Sequence, residues 1–189
     1  MRANRFTVII DTCVLYPALT RNIILSLANE GLFRPRWSTE ILNELQRNLN
    51  ADYPDGNVGD AQRNSIEIAF PEGEIEVSDR LVNSLNLPDT NDQHVLAAAI
   101  RSRAALIVTN NLKDFPPEEL NDYEVEAVSS DKFIADVISL SNVPAVVAIR
   151  KMRKRLNNPD IDAAELILRC EKNGLIETAQ LLNKYQALI

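Results

Sequence analysis

Four acidic residues lie at positions from which a fold could bring their carboxylates together. Asp11 directly follows a short apolar run, Asp92 falls in the first turn of a helical segment, and Asp114 lies in the loop after a second apolar run. Glu44 adds a carboxylate from another helical segment, beside its apolar face. Clustered carboxylates repel each other unless a hard cation neutralises them, and ligand sets made only of oxygen favour Mg²⁺ or Mn²⁺ over zinc. The four acids therefore predict a site for a divalent cation.

Each acid also has an interpretation that needs no cation. Asp92 could stabilise the positive end of a helix dipole, Glu44 could lie on a solvated helix face, and Asp114 could be a turn residue. Asp11 is harder to explain in this way, because an acid placed directly after a fully apolar strand tends to lie at a site. The four positions together support a site more strongly than each does alone.

Short β-branched runs alternate with helical patterns in the first 140 residues. Residues 6–10 and 106–108 are predicted to be buried strands, and residues 74–77 and 124–128 to be further strands. This alternation predicts a three-layer α/β/α domain with a mostly parallel sheet over residues 1–140. Ligands of such sheets bind where the carboxyl ends of the strands meet the helix N-termini, and Asp11, Asp92 and Asp114 are placed for that edge.

Helical segments are predicted between these strands, and residues 51–59, which contain Pro54, Gly56 and Gly59, are predicted to be a loop. One helix includes residues 23–28, a second begins at Ser38 or Thr39, a third ends at Phe70, and a fourth covers residues 79–86. Thr90 and Gln93 have the spacing of a capping box, so a helix is predicted to start there. Ser130 is predicted to begin the last helix of the domain.

Residues 141–189 are predicted to form a small helical C-terminal extension. Helical patterns cover residues 144–156, 161–172 and 175–187, and they are separated by Asn157-Asn158-Pro159 and Asn173-Gly174. This segment holds 8 Lys/Arg against 5 Asp/Glu, which leaves 12 against 22 in residues 1–140. Residues 1–140 are therefore acidic, so they could bind a polyanionic substrate only through metal ions or with the help of the basic tail.

Composition excludes several classes of protein. The longest apolar stretches are far shorter than the roughly 20 residues of a membrane span, and Asp11 interrupts the run that a signal peptide would need, so we expect a cytoplasmic protein with no membrane partner. Cys13 and Cys170 are 157 positions apart and give neither a disulfide framework nor a zinc knuckle. Both cysteines are interpreted as small buried hydrophobic residues.

Four segments resemble the successive motifs of PIN domains, in the order in which that family has them. They are IIDTCVL with Asp11, STEILNEL with Glu44, LPDTNDQHVLAAA with Asp92, and VTNNLKDFP with Asn111 and Asp114. The likeness is greatest to VapC-type toxins of bacterial toxin–antitoxin pairs, in the subgroup that has a helical C-terminal extension. It covers about residues 6–140 by motif and the tail more loosely.

The resemblance implies an endoribonuclease that depends on Mg²⁺ or Mn²⁺ and uses Asp11, Glu44 and Asp92 as catalytic acids and metal ligands. A fourth ligand is implied after the strand that ends near Thr109, at a position where many relatives have Asp and this chain has Asn111. Asn111 could coordinate through its carbonyl oxygen, or Asp114 could take the catalytic and metal-binding role. A cognate antitoxin protein and a homodimer are implied by the family alone.

Several other polar residues could take part in the site, and each also has an interpretation outside it. The hydroxyls of Thr12 and Thr109 could hold ligands or a substrate phosphate, and Lys113 could contact phosphate or be solvated. His94, the one histidine in the chain, could be a general base, but residues i and i+2 of a helix face different ways, which favours a surface or packing role. The cluster Arg150, Lys151, Arg153, Lys154 and Arg155 could contact RNA or an antitoxin, or form a solvated face.

Three other functions are alternatives to the nuclease. A haloacid-dehalogenase-type phosphatase needs a second Asp where Cys13 stands, and a receiver domain needs an acidic pair and a phosphoacceptor that the sequence lacks. A catalytically inactive PIN-fold scaffold, acting only as a binding module, is kept open by Asn111.

Overall fold

The computed structural model describes residues 6–54, 56–156 and 159–189. These residues divide into two compact units. The first contains the residues up to Tyr16 together with Arg34–Val128, and the second contains Pro17–Phe33 together with Ser129–Ile189. Asn157 and Asn158 of the predicted linker, and residue 55 of the predicted loop, lie outside the described residues. No helix in the described ranges combines the length and the apolar character that a bilayer span requires.

The first unit is built on a parallel sheet of five short strands. They are β1 (Thr7–Ile10), β2 (Arg34–Ser38), β3 (Glu74–Ile75), β4 (Leu106–Val108) and β5 (Glu126–Val128), in the order β3-β2-β1-β4-β5. Strand β1 lies at the centre, with Ile9 opposite Ile107 of β4 and Arg36 of β2. Val8, Ile9 and Ile10 have no exposed surface, as expected of a strand covered on both faces.

The described helices alternate with the strands and then form the tail. They are α1 (Thr12–Leu15), α2 (Ala18–Asn29), α3 (Thr39–Asp52), α4 (Val58–Ala69), α5 (Asp79–Val82), α6 (Gln93–Ser102), α7 (Pro117–Leu120), α8 (Ser130–Leu140), α9 (Asn142–Arg155), α10 (Ala163–Lys172) and α11 (Ile176–Lys184). Helix α6 packs on β1, β2 and β4 through a face of small and branched side chains that includes Val95 and Ala98. The predicted α/β/α fold with a parallel sheet and C-terminal helices is confirmed.

Some local predictions are corrected by the structure. The predicted capping box of Thr90 and Gln93 is wrong: the Asp89 side chain accepts a hydrogen bond from Asn91 N (2.9 Å) in a 3-10 turn over Thr90–Asp92, and Gln93 Nε2 donates to Leu85 O. The predicted strand 74–77 has two residues, and the predicted helix 79–86 ends at Val82. The predicted loop 51–59 is shorter, because α3 runs to Asp52 and α4 begins at Val58.

The second unit is helical. Helix α2 packs against α8, α9 and α10, and α11 packs against α8 and α10. The rings of Phe33 and Phe133 meet edge to face with centroids 4.9 Å apart. This unit therefore contains α2 and α8 in addition to the predicted extension over residues 141–189.

Part of the basic cluster on α9 is used inside this helical unit. Lys151 Nζ lies 3.0 Å from Glu30 Oε2, and Arg155 donates to the hydroxyl of Ser26 (2.9 Å). Arg153 donates to the backbone carbonyl of Ile161 (2.6 Å). These contacts account for three of its five basic side chains and leave contact with RNA or an antitoxin as a prediction.

Candidate active site

The site forms at the carboxyl ends of the two central strands of the sheet. Asp11 follows β1 and Thr109 follows β4, and because Ile10 lies opposite Val108 the two side chains leave the sheet at one edge. The Asp11 backbone N–H donates to Val108 O at 3.0 Å and so continues the ladder past the strand end. Both residues are buried, with exposed fractions of 4% and 0%.

Three side chains or backbone groups hold the Asp11 carboxylate. Oδ1 accepts from the backbone N–H of Thr12 at 2.6 Å, so Asp11 caps α1. Oδ2 accepts from the Thr109 hydroxyl at 2.7 Å and from the Cys13 thiol at 3.0 Å. These hydrogen bonds fix the orientation of the buried carboxylate.

Thr109 and Cys13 also tie down the loop after β4. The Thr109 hydroxyl accepts from the backbone N–H of Asn111 at 3.1 Å, and Cys13 Sγ accepts from the backbone N–H of Asn110 at 3.2 Å. Burial and the neighbouring Asp11 carboxylate together raise the pKa of the Cys13 thiol to about 12. The thiol is therefore protonated at neutral pH and acts as a hydrogen-bond donor, not as a nucleophile.

Glu44 comes to the site from α3. This helix begins where the Ser38 hydroxyl accepts from Ile41 N (3.1 Å), so of the two predicted starting residues Ser38 is the cap. Glu44 Oε2 accepts from the Thr12 hydroxyl at 2.6 Å, and Oε1 lies 3.6 Å from Nε2 of His94. Burial raises the pKa of Glu44, but the contacts with His94 and Thr12 outweigh burial and hold this pKa below its ordinary value.

Asp92 lies at the start of α6 and makes no side-chain cap bond to that helix. Burial, together with the charges of Asp11, Asp89 and Asp114, raises the pKa of Asp92 to about 6. A half-buried carboxylate among other carboxylates is electrostatically strained when ionised, and a cation beside it would relieve that strain.

One cavity of about 640 Å³ connects most of the predicted site residues. Of the ten described residues that line it, four carry a carboxylate and one a guanidinium; they are Asp11, Thr12, Cys13, Tyr16, Glu44, Arg47, Asn48, Asp52, Asp92 and Asn111. Asp114 and Lys113 lie in the 3-10 turn Leu112–Asp114 and do not line this cavity, although Asp114 is near enough to raise the pKa of Asp92. Thr109 lies behind Asp11 and acts through it.

Sequence reasoning missed five residues of the cavity wall. One is Cys13, which was interpreted as a small buried hydrophobic residue but lines the cavity and binds Asp11. Arg47, Asn48 and Asp52 lie three, four and eight residues after Glu44 on α3, so helical spacing from Glu44 could have found them. Tyr16 follows Thr12 by four residues in the same way, and its hydroxyl donates to the Asp52 carboxylate. The contact of His94 with Ser38 had no signal in the sequence, since it depends on how α6 packs on β2.

The donors of this cavity fit a hard divalent cation. In the part of the chain that the structure describes, no three His, Cys, Asp or Glu side chains form a group that could hold a metal ion by themselves. Mg²⁺ does not need such a group, because it is commonly held by one or two carboxylates and keeps several of its waters. Asp11 and Asp92 supply two interacting carboxylates, and Asn111 adds a carbonyl oxygen in the same cavity.

Comparison with known proteins agrees with this fold. Residues 7–113 match the PIN domain family model, and residues 130–184 match the model of the VapC50 C-terminal domain. The chain is 51% identical over 49 residues to a Mycobacterium tuberculosis protein named "Putative ribonuclease VapC50", and this alignment covers 26% of the chain and 29% of that relative. No solved structure matches the chain.

The chain belongs to the PIN domain family, since the matched residues make up more than half of it. Residues 130–184, which form most of its second unit, are similar to the C-terminal domain of VapC50. The predicted resemblance to VapC-type PIN proteins with a helical C-terminal extension is therefore confirmed.

Proposed function

We propose that this protein is a divalent-metal-dependent endoribonuclease and the toxin component of a VapC-type toxin–antitoxin pair that acts in the cytoplasm. The observation that carries the proposal is the cavity at the ends of β1 and β4, where Asp11, Glu44, Asp92 and Asn111 present oxygen donors. The PIN family model and the short, closely similar stretch shared with a protein named as a ribonuclease support it. The antitoxin and a homodimer are proposed from the family alone.

Asp11, Asp92 and Asn111 would hold the cation, with Glu44 as a further acid. A bound Mg²⁺ or Mn²⁺ supplies charge to neutralise the scissile phosphate and lowers the pKa of an attacking water. Asp11 is held in a fixed orientation by three hydrogen bonds. The Cys13 thiol, with a pKa of about 12, provides no nucleophile, so water is the nucleophile of this proposal.

Substrate recognition would use donors at the rim. Arg47 and Asn48 are exposed residues of α3 that line the cavity, and their N–H groups could bind phosphate oxygens. The hydroxyl of Thr12 is engaged by Glu44 and that of Thr109 by Asp11, so both threonines act on the acids and not on phosphate. Lys113 is exposed outside this cavity and remains a candidate for RNA lying across the edge of the site.

The experiment is RNA cleavage by the purified full chain. Labelled total RNA is incubated with Mg²⁺, Mn²⁺ or EDTA, and new 5′ ends are mapped. We expect internal cuts that require the metal, disappear in Asp92→Asn and persist in Asp122→Asn, an exposed acid with the same change of charge. Equal cleavage by wild type and Asp92→Asn, or none by either, would overturn the nuclease.

A catalytically inactive scaffold is the second candidate. It is favoured by Asn111, which stands where the resemblance implies an aspartate, and by the lack of a three-carboxylate group among the described residues. Calorimetric titration with Mn²⁺ separates the two functions. Binding of Mn²⁺ without cleavage of RNA would support the scaffold.

A further inference from the structure

His94 lies on α6 between the first turn of α3 and the acid that α3 brings to the site. The residue is 9% exposed. Its Nδ1 lies 2.7 Å from the Ser38 hydroxyl, and its Nε2 lies 3.6 Å from Glu44 Oε1. Nε2 is buried and has no hydrogen-bond partner among the described residues. A buried imidazole nitrogen that faces a carboxylate without bonding to it requires an explanation.

The proton on the imidazole can be placed by counting donors and acceptors. Ser38 is fully buried, and its hydroxyl oxygen already accepts from the Ile41 backbone N–H at 3.1 Å. If the hydroxyl donates to Nδ1, its own proton is used and the imidazole proton must be on Nε2, pointing towards Glu44. The other tautomer would leave the Ser38 proton buried without an acceptor and would set the Nε2 lone pair against a carboxylate.

We infer that His94 is a positioning residue for Glu44, held by Ser38 as the tautomer with its proton on Nε2. This N–H faces one oxygen of the Glu44 carboxylate while the Thr12 hydroxyl binds the other. The inference rests on the proposed nuclease, in which Glu44 is one of the acids. His94 touches neither substrate nor cation in this arrangement and acts through Glu44.

The 3.6 Å separation allows Glu44 a small movement. A shift of about 0.5 Å would bring Oε1 within hydrogen-bond distance of Nε2. The Thr12 contact at 2.6 Å limits how far the carboxylate can turn. His94 and Thr12 thus confine Glu44 to the orientation in which it lines the cavity. Partners that orient an acid in this way commonly change metal affinity or activity by 10-fold to 100-fold when removed.

The tautomer can be measured directly because the chain has one histidine. The ¹⁵N-labelled full chain, prepared without a histidine tag, is examined at mildly alkaline pH by long-range ¹H–¹⁵N correlation. We expect a protonated, pyrrole-type Nε2 and an unprotonated Nδ1. Protonated Nδ1 would overturn the inference. Ser38→Ala should abolish the single tautomer, whereas Ser129→Ala, which removes the N-cap of α8, should leave the spectrum of His94 unchanged.

The contact with Glu44 is tested in the same spectrum. Glu44→Gln should shift the Nε2 resonance, because it replaces a charged acceptor by a neutral amide. Glu118→Gln, an exposed acid on α7, is the matched control and should not shift it. An Nε2 resonance that does not respond to Glu44→Gln would show that His94 does not act on this acid.

The effect of His94 on catalysis is tested with two variants that replace the imidazole by a side-chain amide. His94→Gln can place an N–H near the position of Nε2, whereas His94→Asn places one near Nδ1. We expect His94→Asn to lower kcat for RNA about tenfold with an unchanged KM, and His94→Gln to recover most of it. Equal kcat values for the two variants would overturn positioning by Nε2. A wild type that cleaves no RNA would instead overturn the proposed function, and the Nε2 resonance would still decide whether His94 faces Glu44.

Discussion

The Thr109 hydroxyl donates a 2.7 Å hydrogen bond to Oδ2 of Asp11, a residue 98 positions earlier in the chain. Both residues directly follow central strands of the parallel sheet, and the pairing of Ile10 with Val108 sets their distance. The same hydroxyl accepts from Asn111 N, so one oxygen connects the first predicted acid to the loop that carries the fourth predicted ligand. Thr109 therefore fixes the relative placement of two donors of the cavity.

Replacing Thr109 by Val should cost both stability and activity. Valine has nearly the shape of threonine but leaves Asp11 Oδ2 and Asn111 N–H each short of a partner, so we expect a loss of about 2 kcal/mol in the free energy of unfolding and a fall in RNA cleavage. Urea unfolding and the cleavage assay measure the two effects. Thr109→Ser, which keeps the hydroxyl, should restore most of both.

Thr178→Val is the control for this change. Thr178 is also fully buried and its hydroxyl donates to Asp131 O, but it lies in the helical unit. The Thr178→Val variant should have a lower free energy of unfolding, and its folded form should cleave RNA as the wild type does. Normal cleavage by Thr109→Val under conditions where it is fully folded would contradict the role given to Thr109.

Asp92→Asn should stabilise the metal-free protein while it abolishes cleavage. Burial and the charges of Asp11, Asp89 and Asp114 disfavour the ionised carboxylate. Because Asp92 is partly exposed, solvent screens this repulsion, and we expect a gain of about 1 kcal/mol. This corresponds to a rise of about 3 °C in Tm, measured in EDTA by circular dichroism. Asp122→Asn should leave Tm unchanged, and a lower Tm for Asp92→Asn would contradict the strain assigned to this site.

The stability gained in Asp92→Asn should depend on pH with a defined sign. The pKa of Asp92 is raised from 3.8 to about 6 in the folded protein, so the folded state keeps a proton that the unfolded chain releases between these values. The wild type should therefore lose stability relative to the variant as pH rises through this interval. In EDTA, the difference in Tm should be near zero at about pH 4 and largest at about pH 7. If the difference in Tm were the same at about pH 4 and at about pH 7, the gain in stability would come from packing and not from charge.

The fourth ligand can be identified by comparing Asn111 with Asp114. Asn111 lines the cavity and Asp114 does not, so Asn111→Ala should weaken Mn²⁺ binding about tenfold while Asp114→Asn changes it less. Calorimetric titration of each variant gives the affinities. Asn111→Asp should bind Mn²⁺ more tightly than the wild type, because it adds a charged ligand. The reverse order, with Asp114→Asn the weaker binder, would make Asp114 the ligand.

Much of the fold was predictable because its central strands are short, apolar and β-branched. Residues 6–10 and 106–108 had this pattern, and β1 and β4 lie there. Strand β2 was not predicted, because Arg34, Pro35 and Arg36 break the apolar pattern of Arg34–Ser38. Strand β2 forms because it pairs with its neighbours in the sheet: Val8 pairs with Pro35, and Trp37 N donates to Gly73 O. Tertiary pairing of this kind overrides local propensity.

The site was predictable only in part for a similar reason. Asp11, Glu44 and Asp92 stand in recognisable motifs, and the structure sets all three around one cavity. Cys13, which binds Asp11, and Ser38, which binds His94, are of types that are ordinary in a core, so no local pattern marks them. The Thr90–Gln93 spacing misled because the Asp89 side chain caps the turn Thr90–Asp92 and the Gln93 side chain donates to Leu85 O.

Helix α2 has a consequence for dissecting the molecule. It is encoded between β1 and β2, yet its buried side chains, among them Ile23, Ile24 and Leu27, belong to the helical unit, where it packs on α8, α9 and α10. Truncating the polypeptide after β5 would therefore not excise an autonomous appendage. It would remove the helices that cover α2 and leave an apolar surface exposed, which favours aggregation. A loss of activity in such a fragment would therefore not reveal the function of the tail.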